Sequence, residues 1–230
     1  ENNKPKSIEL LMELTRDIPN VSIVPLLTKY PQGGEKQLIN AVTGREVPSG
    51  GLPADAGCIV HNADTIVAIY RALLEGRPLM RRIITIAGGA VAHATTFKVR
   101  IGTNVRELIE AAGGLVTTPS KIICGGPMMG TALFSLDVPV VKGTSGILLF
   151  DTSQDLIADE SHCIRCGKCI AACPIHLMPM MLNQFALERD WNSFEQYHGM
   201  DCMECGSCAY ICPAKRHLTQ TFKAGKRIIS

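Results

Sequence analysis

Apolar residues recur along the chain with three rhythms, and each predicts a different organisation. In the first stretch Ile8, Leu11, Met12 and Leu14 fall at helical spacing behind Pro5 and Ser7, which suit a helix start. Val21 to Leu27 reads as a strand, with Pro25 placing it at an edge or ending it early. Thr28 to Gly34 is then a loop, Glu35 to Val42 a short helix, and residues 43–57 a Gly/Pro-rich loop. Asp64 is placed to cap a helix through Leu74 that stops at Gly76. In the second stretch Arg82–Ile86 and Thr96–Ile101 alternate as strands, the latter turning Phe97, Val99 and Ile101 to one face. Thr103 or Asn104 caps a helix over Val105–Ala112, ended by Gly113-Gly114, and short strands follow around Lys121–Cys124 and Gly146–Phe150. The third stretch reads as helical over 176–198, carrying Leu177, Met180, Met181, Phe185 and Leu187. The expected class is a multi-domain α+β chain. Residues 1–77 would be the C-terminal part of an α/β domain, 78–150 a β-grasp unit and 151–230 a helical cysteine-bearing domain.

Composition narrows this. With 230 residues, 46% hydrophobic and 19% charged, the chain is long enough for one or two domains and is not wholly disordered. Its apolar runs, such as Gly146-Ile-Leu-Leu-Phe150, are far shorter than the roughly 20 residues of a membrane span. A net charge of +2 gives no argument for nucleic acid. Residue 1 is Glu and no signal peptide follows, which predicts a piece of a longer protein. The informative count is ten cysteines, eight of them between 163 and 212, with only Cys58 and Cys124 in the first 150 residues. Disulfide scaffolds spread their cysteines through small, loop-rich chains. Tight clusters are metal-ligand spacing, and thiolate ligands need a reducing compartment.

The clusters repeat each other. Cys163-x-x-Cys166-x-x-Cys169-x-x-x-Cys173-Pro recurs as Cys202-x-x-Cys205-x-x-Cys208-x-x-x-Cys212-Pro, offset by 39 residues. This run is the bacterial ferredoxin signature for [4Fe–4S] clusters, in which the fourth cysteine ligates the other cluster. Three thiolates at this spacing wrap one corner of a cubane, and the fourth leaves its loop along a helix. Cys163, Cys166, Cys169 and Cys212 are therefore expected on one cluster, and Cys202, Cys205, Cys208 and Cys173 on the other. Gly167 and Gly206 would let backbone pass close to the sulfides. Zinc is the alternative, but three cysteines in a row plus a distant fourth, twice over and each followed by Pro, is a poor zinc pattern. Lys168 and Arg165 would raise a potential that burial would lower.

The last eighty residues alone resemble many dicluster ferredoxins. Taken in order, essentially all 230 residues resemble the C subunit of the Rnf (Rsx) ion-translocating electron transport complex. Lys29-Tyr-Pro-Gln-Gly-Gly-Glu-Lys-Gln-Leu38 and Val60-His-Asn-Ala-Asp-Thr65 look like that family's central region. They are also similar to the flavin- and NADH-binding subunit of respiratory complex I. Arg100-Ile-Gly-Thr-Asn-Val-Arg-Glu-Leu-Ile109 resembles the soluble-ligand-binding β-grasp (SLBB) domain. The resemblance implies an electron-transfer subunit of an ion-translocating oxidoreductase. Such a subunit is peripheral, on the cytoplasmic side of the bacterial inner membrane, and held there by the other subunits of the complex. It would exchange electrons with NADH through FMN and pass them through the clusters, while the complex couples ferredoxin–NAD transfer to sodium or proton movement. It also implies that Tyr30, Gly33, Gly34 and Glu35 lie near flavin and nicotinamide and that Asn62 and Thr65 reach the flavin. Paired glycines permit close approach to a ring or phosphate, and polar donors at a helix N-terminus suit anionic oxygens.

The family's flavin domain begins with a glycine-rich loop that holds much of FMN and NADH, and no such segment occurs here. FMN and NADH are therefore expected of the complete subunit, while this chain alone should bind FMN weakly or not at all and lack NADH dehydrogenase activity. Plainer readings accompany these. Gly33-Gly34 can be a bare turn, and Asn62 or Asp64 only a helix cap. Cys58 and Cys124 read as buried apolar thiols. His61, His93 and His217 show no ligand spacing, and Gly125-Gly-Pro-Met-Met-Gly130 reads as a tight turn with core methionines. Two other functions fit the layout. One is the iron–sulfur subunit of another flavin-dependent dehydrogenase or hydrogenase. The other is an SLBB assembly or ligand-sensing module with structural clusters.

Overall fold

A computed structural model describes residues 1–153 and 159–230. The expected boundary at 150/151 falls just before residues 154–158, which lie outside the described residues.

The best-packed part is the centre. Five strands, β1 (Arg81–Ala87), β2 (Thr95–Arg100), β3 (Lys121–Cys124), β4 (Thr131–Ala132) and β5 (Gly146–Phe150), form one mixed sheet in the order β2-β1-β5-β3-β4. β1 pairs antiparallel with β2 in the register Arg82↔Val99 and Ile84↔Phe97. β1 runs parallel to β5 through Ile86↔Ile147. The alternation seen in the sequence is real: Ile84 and Ile86 are fully buried while Ile83 beside them is half exposed. Across the sheet lies α4 (Val105–Ala111), capped by Asn104, whose side chain accepts the Arg106 amide at 2.8 Å. Its stripe Val105, Leu108, Ile109 and the following Ala112 is buried with Ile84, Ile86, Ile147 and Leu149 in one core. Of the two candidate caps, Asn104 wins because its carboxamide reaches N2 with extended backbone. β4 is two residues long, too short for periodicity to announce.

Residues 1–77 are different. They contain α1 (Pro5–Thr15), α2 (Glu35–Thr43), a 3₁₀ turn at Pro53–Ala56, and α3 (Ala63–Leu74). Only Pro31 and Ile39 among them are buried. The apolar residues Leu10, Leu11, Met12 and Leu14 of α1 form their helix but face solvent. The expected strand over 21–27 is not formed. The segment has no ladder and is tied through Asn2, whose amide donates to the Leu26 carbonyl at 2.8 Å and whose side chain accepts the Thr28 amide at 3.0 Å. A strand needs a neighbour, and no other strand occurs in this part of the described chain. The cap of α3 is Asn62, which accepts the Asp64 amide at 2.9 Å, not Asp64. Asp64, in the first turn, pairs with Arg82 of β1 at 2.9 Å and ties this part to the sheet.

The third part is helical and built on the cysteine runs. α5 (Lys168–Ala171) and α8 (Ser207–Ile211) each carry the third cysteine of their run and lead to the fourth. The helix expected over 176–198 is two, α6 (Pro179–Glu188) and α7 (Trp191–Gln196). The break lies at Arg189, which takes left-handed backbone, and at Asp190, which caps α7 by accepting the Ser193 amide at 3.1 Å. A C-terminal helix, α9 (Leu218–Ile229), packs Leu218 and Phe222 onto Leu182, Ala186 and Phe194. Leu187, counted with the apolar positions of the first of these helices, is exposed.

Candidate functional site

The duplicated runs fold alike. Gly167 and Gly206 sit at φ 74° and 83°, each starting the short helix that leads from the third to the fourth cysteine of its run. Arg165 and Glu204, at matching positions, also take positive φ. Each turns its amide to a sulfur: Arg165 N–H donates to Cys163 Sγ and Glu204 N–H to Cys202 Sγ, both at 3.4 Å. The Leu177 amide donates to Cys173 Sγ at 3.3 Å. Positive φ at non-glycine residues costs free energy; here it aims backbone donors at sulfur.

The cysteines line two separate cavities. One is bordered by Cys163, Cys166, Cys169 and Cys212, the other by Cys173, Cys202, Cys205 and Cys208. Each set thus mixes three cysteines of one run with the last of the other. Among the described residues, no three His, Cys, Asp or Glu side chains converge closely enough to hold a single metal ion. The sulfurs border spaces rather than points. That donor set, four thiols with amides aimed at sulfur, fits an iron–sulfur cubane better than tetrahedral zinc.

The two cavities differ in setting. Cys163 and Cys166 are exposed, whereas Cys205 and Cys208 are buried. Burial pushes the Cys208 thiol up to about 12, against a weak pull from Thr219, whose hydroxyl lies 3.9 Å from the sulfur. Burial also raises the Cys202 and Cys169 thiols, opposed at Cys202 by the Glu204 amide and Lys226. A metal held by these thiols would displace their protons.

Of the flavin candidates, Tyr30, Gly33, Gly34 and Glu35 border one open cavity of about 810 Å³, together with Cys202 and Met203 of the second run. The Tyr30 hydroxyl donates to the Cys205 carbonyl at 2.6 Å. A Cβ at Gly34 would lie 2.5 Å from Met203 Cε, the end of a flexible side chain, and 3.2 Å from the Pro31 carbonyl, whereas Gly33 has nothing within 4 Å. Asn62 and Thr65 are not among the residues lining that cavity; they sit at the start of α3, where Thr65 N–H donates to the Asn62 carbonyl at 2.9 Å.

Several residues that the sequence did not single out complete the picture. Asp201, beside Cys202, accepts hydrogen bonds from the Ser49 hydroxyl and, at 3.2 Å, from the Gly50 amide, and faces Lys36 at 4.0 Å. Burial opposes its ionisation, but Ser49, Gly50, Lys36 and His198 together hold its carboxyl below the usual range. The Gly125–Gly130 turn is a turn as expected, closed by Gly130 N–H to the Gly126 carbonyl at 2.8 Å. Its methionines are not core: Met129 is exposed, and the Met128 carbonyl lies 3.2 Å from where a Cβ on Gly206 would stand. The β-grasp unit thereby abuts the second cysteine loop. Cys58 and Cys124 are half-buried rather than fully enclosed. His61, His93 and His217 are not buried and join no cluster of ligands among the described residues.

A mixed sheet set between a helical flavin-type segment and a duplicated cysteine module defines an iron–sulfur protein of the dicluster class. Family models agree part by part: a Nuo51 FMN-binding domain matches residues 1–71, an SLBB domain residues 83–132 and a 4Fe-4S dicluster domain residues 155–213. The chain is 47% identical over 229 residues to the C subunit of the Na(+)-translocating ferredoxin:NAD(+) oxidoreductase complex of Acetobacterium woodii, covering 100% of this chain and 52% of that one. It is 50% identical over 221 residues to the C subunit of the proton-translocating ferredoxin:NAD(+) oxidoreductase complex of Clostridium ljungdahlii, covering 96% and 48%. The C subunit of an ion-translocating oxidoreductase complex of Rhodobacter capsulatus is 40% identical over 186 residues, covering 80% and 36%. The chain belongs to this family of C subunits and spans about half the length of the first two relatives. Among the described residues no helix is long and apolar enough to cross a membrane.

Proposed function

We propose that this chain passes single electrons through two [4Fe–4S] clusters, as part of a subunit whose complex couples ferredoxin–NAD electron transfer to movement of sodium ions or protons. The observation that carries the reading is the division of eight cysteines into two cavities of four, each drawing its last member from the other run. Cys163, Cys166, Cys169 and Cys212 would hold the first cluster, and Cys202, Cys205, Cys208 and Cys173 the second. Bound there, the clusters supply one-electron chemistry. The protein's own residues hold the thiolates in register, turn the amides of Arg165, Leu177 and Glu204 toward sulfur, and exclude water from Cys205 and Cys208. Shared ligand runs keep the two sites adjacent, so an electron accepted at one is close to the other.

The cavity bordered by Tyr30, Gly33, Gly34 and Glu35 also reaches Cys202. We take these four residues as one wall of the flavin site, with Asn62 and Thr65 contributing from the start of α3. NADH would serve the complete subunit, which other subunits would hold on the cytoplasmic side of the membrane. In this reading residues 1–77 are the flavin-domain part, 78–150 the SLBB-like unit and 151–230 the dicluster domain.

Anaerobic purification followed by iron, sulfide and zinc analysis tests this. About eight irons with matching sulfide are expected from two cubanes. Stoichiometric zinc without iron would sink the proposal.

A further inference from the structure

We propose that Lys226 of α9 is a positioning residue for the second cluster and holds its potential above the value the same loop would otherwise give. The inference rests on reading Cys173, Cys202, Cys205 and Cys208 as ligands. Lys226 Nζ donates to the main-chain carbonyl of Cys202 at 2.9 Å. It also lies 3.0 Å from Glu204 Oε1, and Lys223 approaches the same carboxylate at 3.9 Å. Glu204 is the residue whose amide donates to Cys202 Sγ. Two cations and one carboxylate therefore meet on this loop, leaving one net positive charge beside it.

The arrangement is fixed by packing. α9 buries Leu218, Phe222 and Gly225, and a Cβ on Gly225 would come within 3.1 Å of the Trp191 ring, so the helix sits close and cannot turn freely. The Lys226 side chain is only 23% exposed, so water screens its charge incompletely. The Tyr30 hydroxyl holds the next ligand's carbonyl, that of Cys205, at 2.6 Å. The loop is thus pinned at both ends by side-chain donors, one of them charged.

The duplication supplies the control. Arg165 occupies the place of Glu204 in the first run, with the same positive φ and the same 3.4 Å amide bond to sulfur. Among the described residues no side chain donates to the Cys163 carbonyl. Two loops of one conformation therefore differ in the cation behind them. Reduction adds negative charge to a cluster, so a nearby cation favours the reduced form and raises the potential, and a nearby carboxylate does the reverse.

The test is an EPR-monitored redox titration of the anaerobically prepared, cluster-loaded chain, with iron content measured for each variant. The second cluster's signal is assigned as the one altered by Cys202→Ser. Lys226→Met keeps the stem and removes the charge. It should lower the reduced-to-oxidised ratio of the second cluster about tenfold at a given ambient potential, or 59 mV for a one-electron couple, with the first cluster moving far less. Glu204→Gln should shift the second cluster in the opposite direction, and Lys226→Arg should restore the original value. A purely structural role for Lys226 does not produce opposite signs. Should Lys226→Met fail to retain iron, Glu204→Gln decides alone: a rise supports the proposal and its absence overturns it. Equal shifts of both clusters, shifts of one sign in both variants, or no shift would overturn the proposal while leaving the two-cluster reading intact. An unsubstituted protein without two clusters would overturn both.

Discussion

Replacing Asp201 tests how the first seventy-seven residues are held to the cysteine module. In Asp201→Ala the Ser49 hydroxyl and Gly50 amide lose their acceptor, and Lys36 loses its nearest carboxylate. Hydrogen bonds to a charged group contribute about 1.5–3 kcal/mol each when shielded. Here the freed donors lie in a loop open to solvent and recover water, so each counts for only about 0.5–1 kcal/mol, below that range. The Lys36 pair, at 4.0 Å with that side chain one-third exposed, adds about 0–1 kcal/mol. The local cost is then about 2 kcal/mol, or roughly a thirtyfold rise in opening of the loop around Ser49–Gly51. Amide hydrogen exchange at Gly50 reads this directly, because that amide is one of the lost donors. The Ile84 amide, in the sheet core, should be unchanged. The pH dependence is fixed by sign. The folded Asp201 carboxyl lies below its ordinary value, so its stabilisation is fully present above about pH 3.9 and fades only as pH falls through the lower folded value. The ratio of variant to parent exchange should therefore not shrink between pH 8 and pH 5.5, since the carboxyl stays ionised and His198 can only gain charge beside it. A ratio near one at pH 8 would show that the contact does not hold the loop; a ratio that shrinks by pH 5.5 would show that the carboxyl is not held low.

Other outcomes follow from the same geometry. Cys212→Ser should alter the EPR signal of the cluster held by Cys163, Cys166 and Cys169, and Cys173→Ser that of the other; signals altered in the reverse sense would refute crossed ligation. Gly88→Ala places a Cβ 2.0 Å from the Leu149 carbonyl at φ 125°, so the β-grasp sheet should lose several kcal/mol, on the order of 3 or more, as chemical denaturation measured by sheet signal would report. Phe222→Ala empties a site 1% exposed that faces Phe194 at 6.2 Å between ring centroids, and should cost about 3–5 kcal/mol in unfolding of the cluster-loaded chain. A loss under about 1 kcal/mol would mean that α9 is not anchored through this ring.

What the chain wrote locally was legible. The alternation of β1 and β2, the stripe Val105–Leu108–Ile109 and the repeated cysteine spacing are patterns within a few residues, set by strand pleat, helix turn and the reach of one ligand loop. The same periodicity misjudged Val21–Leu27, because a strand exists only where another strand supplies its ladder. It named Asp64 as the cap of α3, with Asn62 only as an alternative, although only the geometry of the turn decides which oxygen reaches an amide. It read Met128 and Met129 as core, when the fold sets their turn against the cysteine module. It gave no sign of Asp201 gripping Ser49 and Gly50, or of Lys226 meeting Cys202. Those pairs lie 152, 151 and 24 residues apart in the chain. No local rhythm encodes such a contact; it forms only when separate elements have each buried what they can and packing then brings their remaining polar groups together.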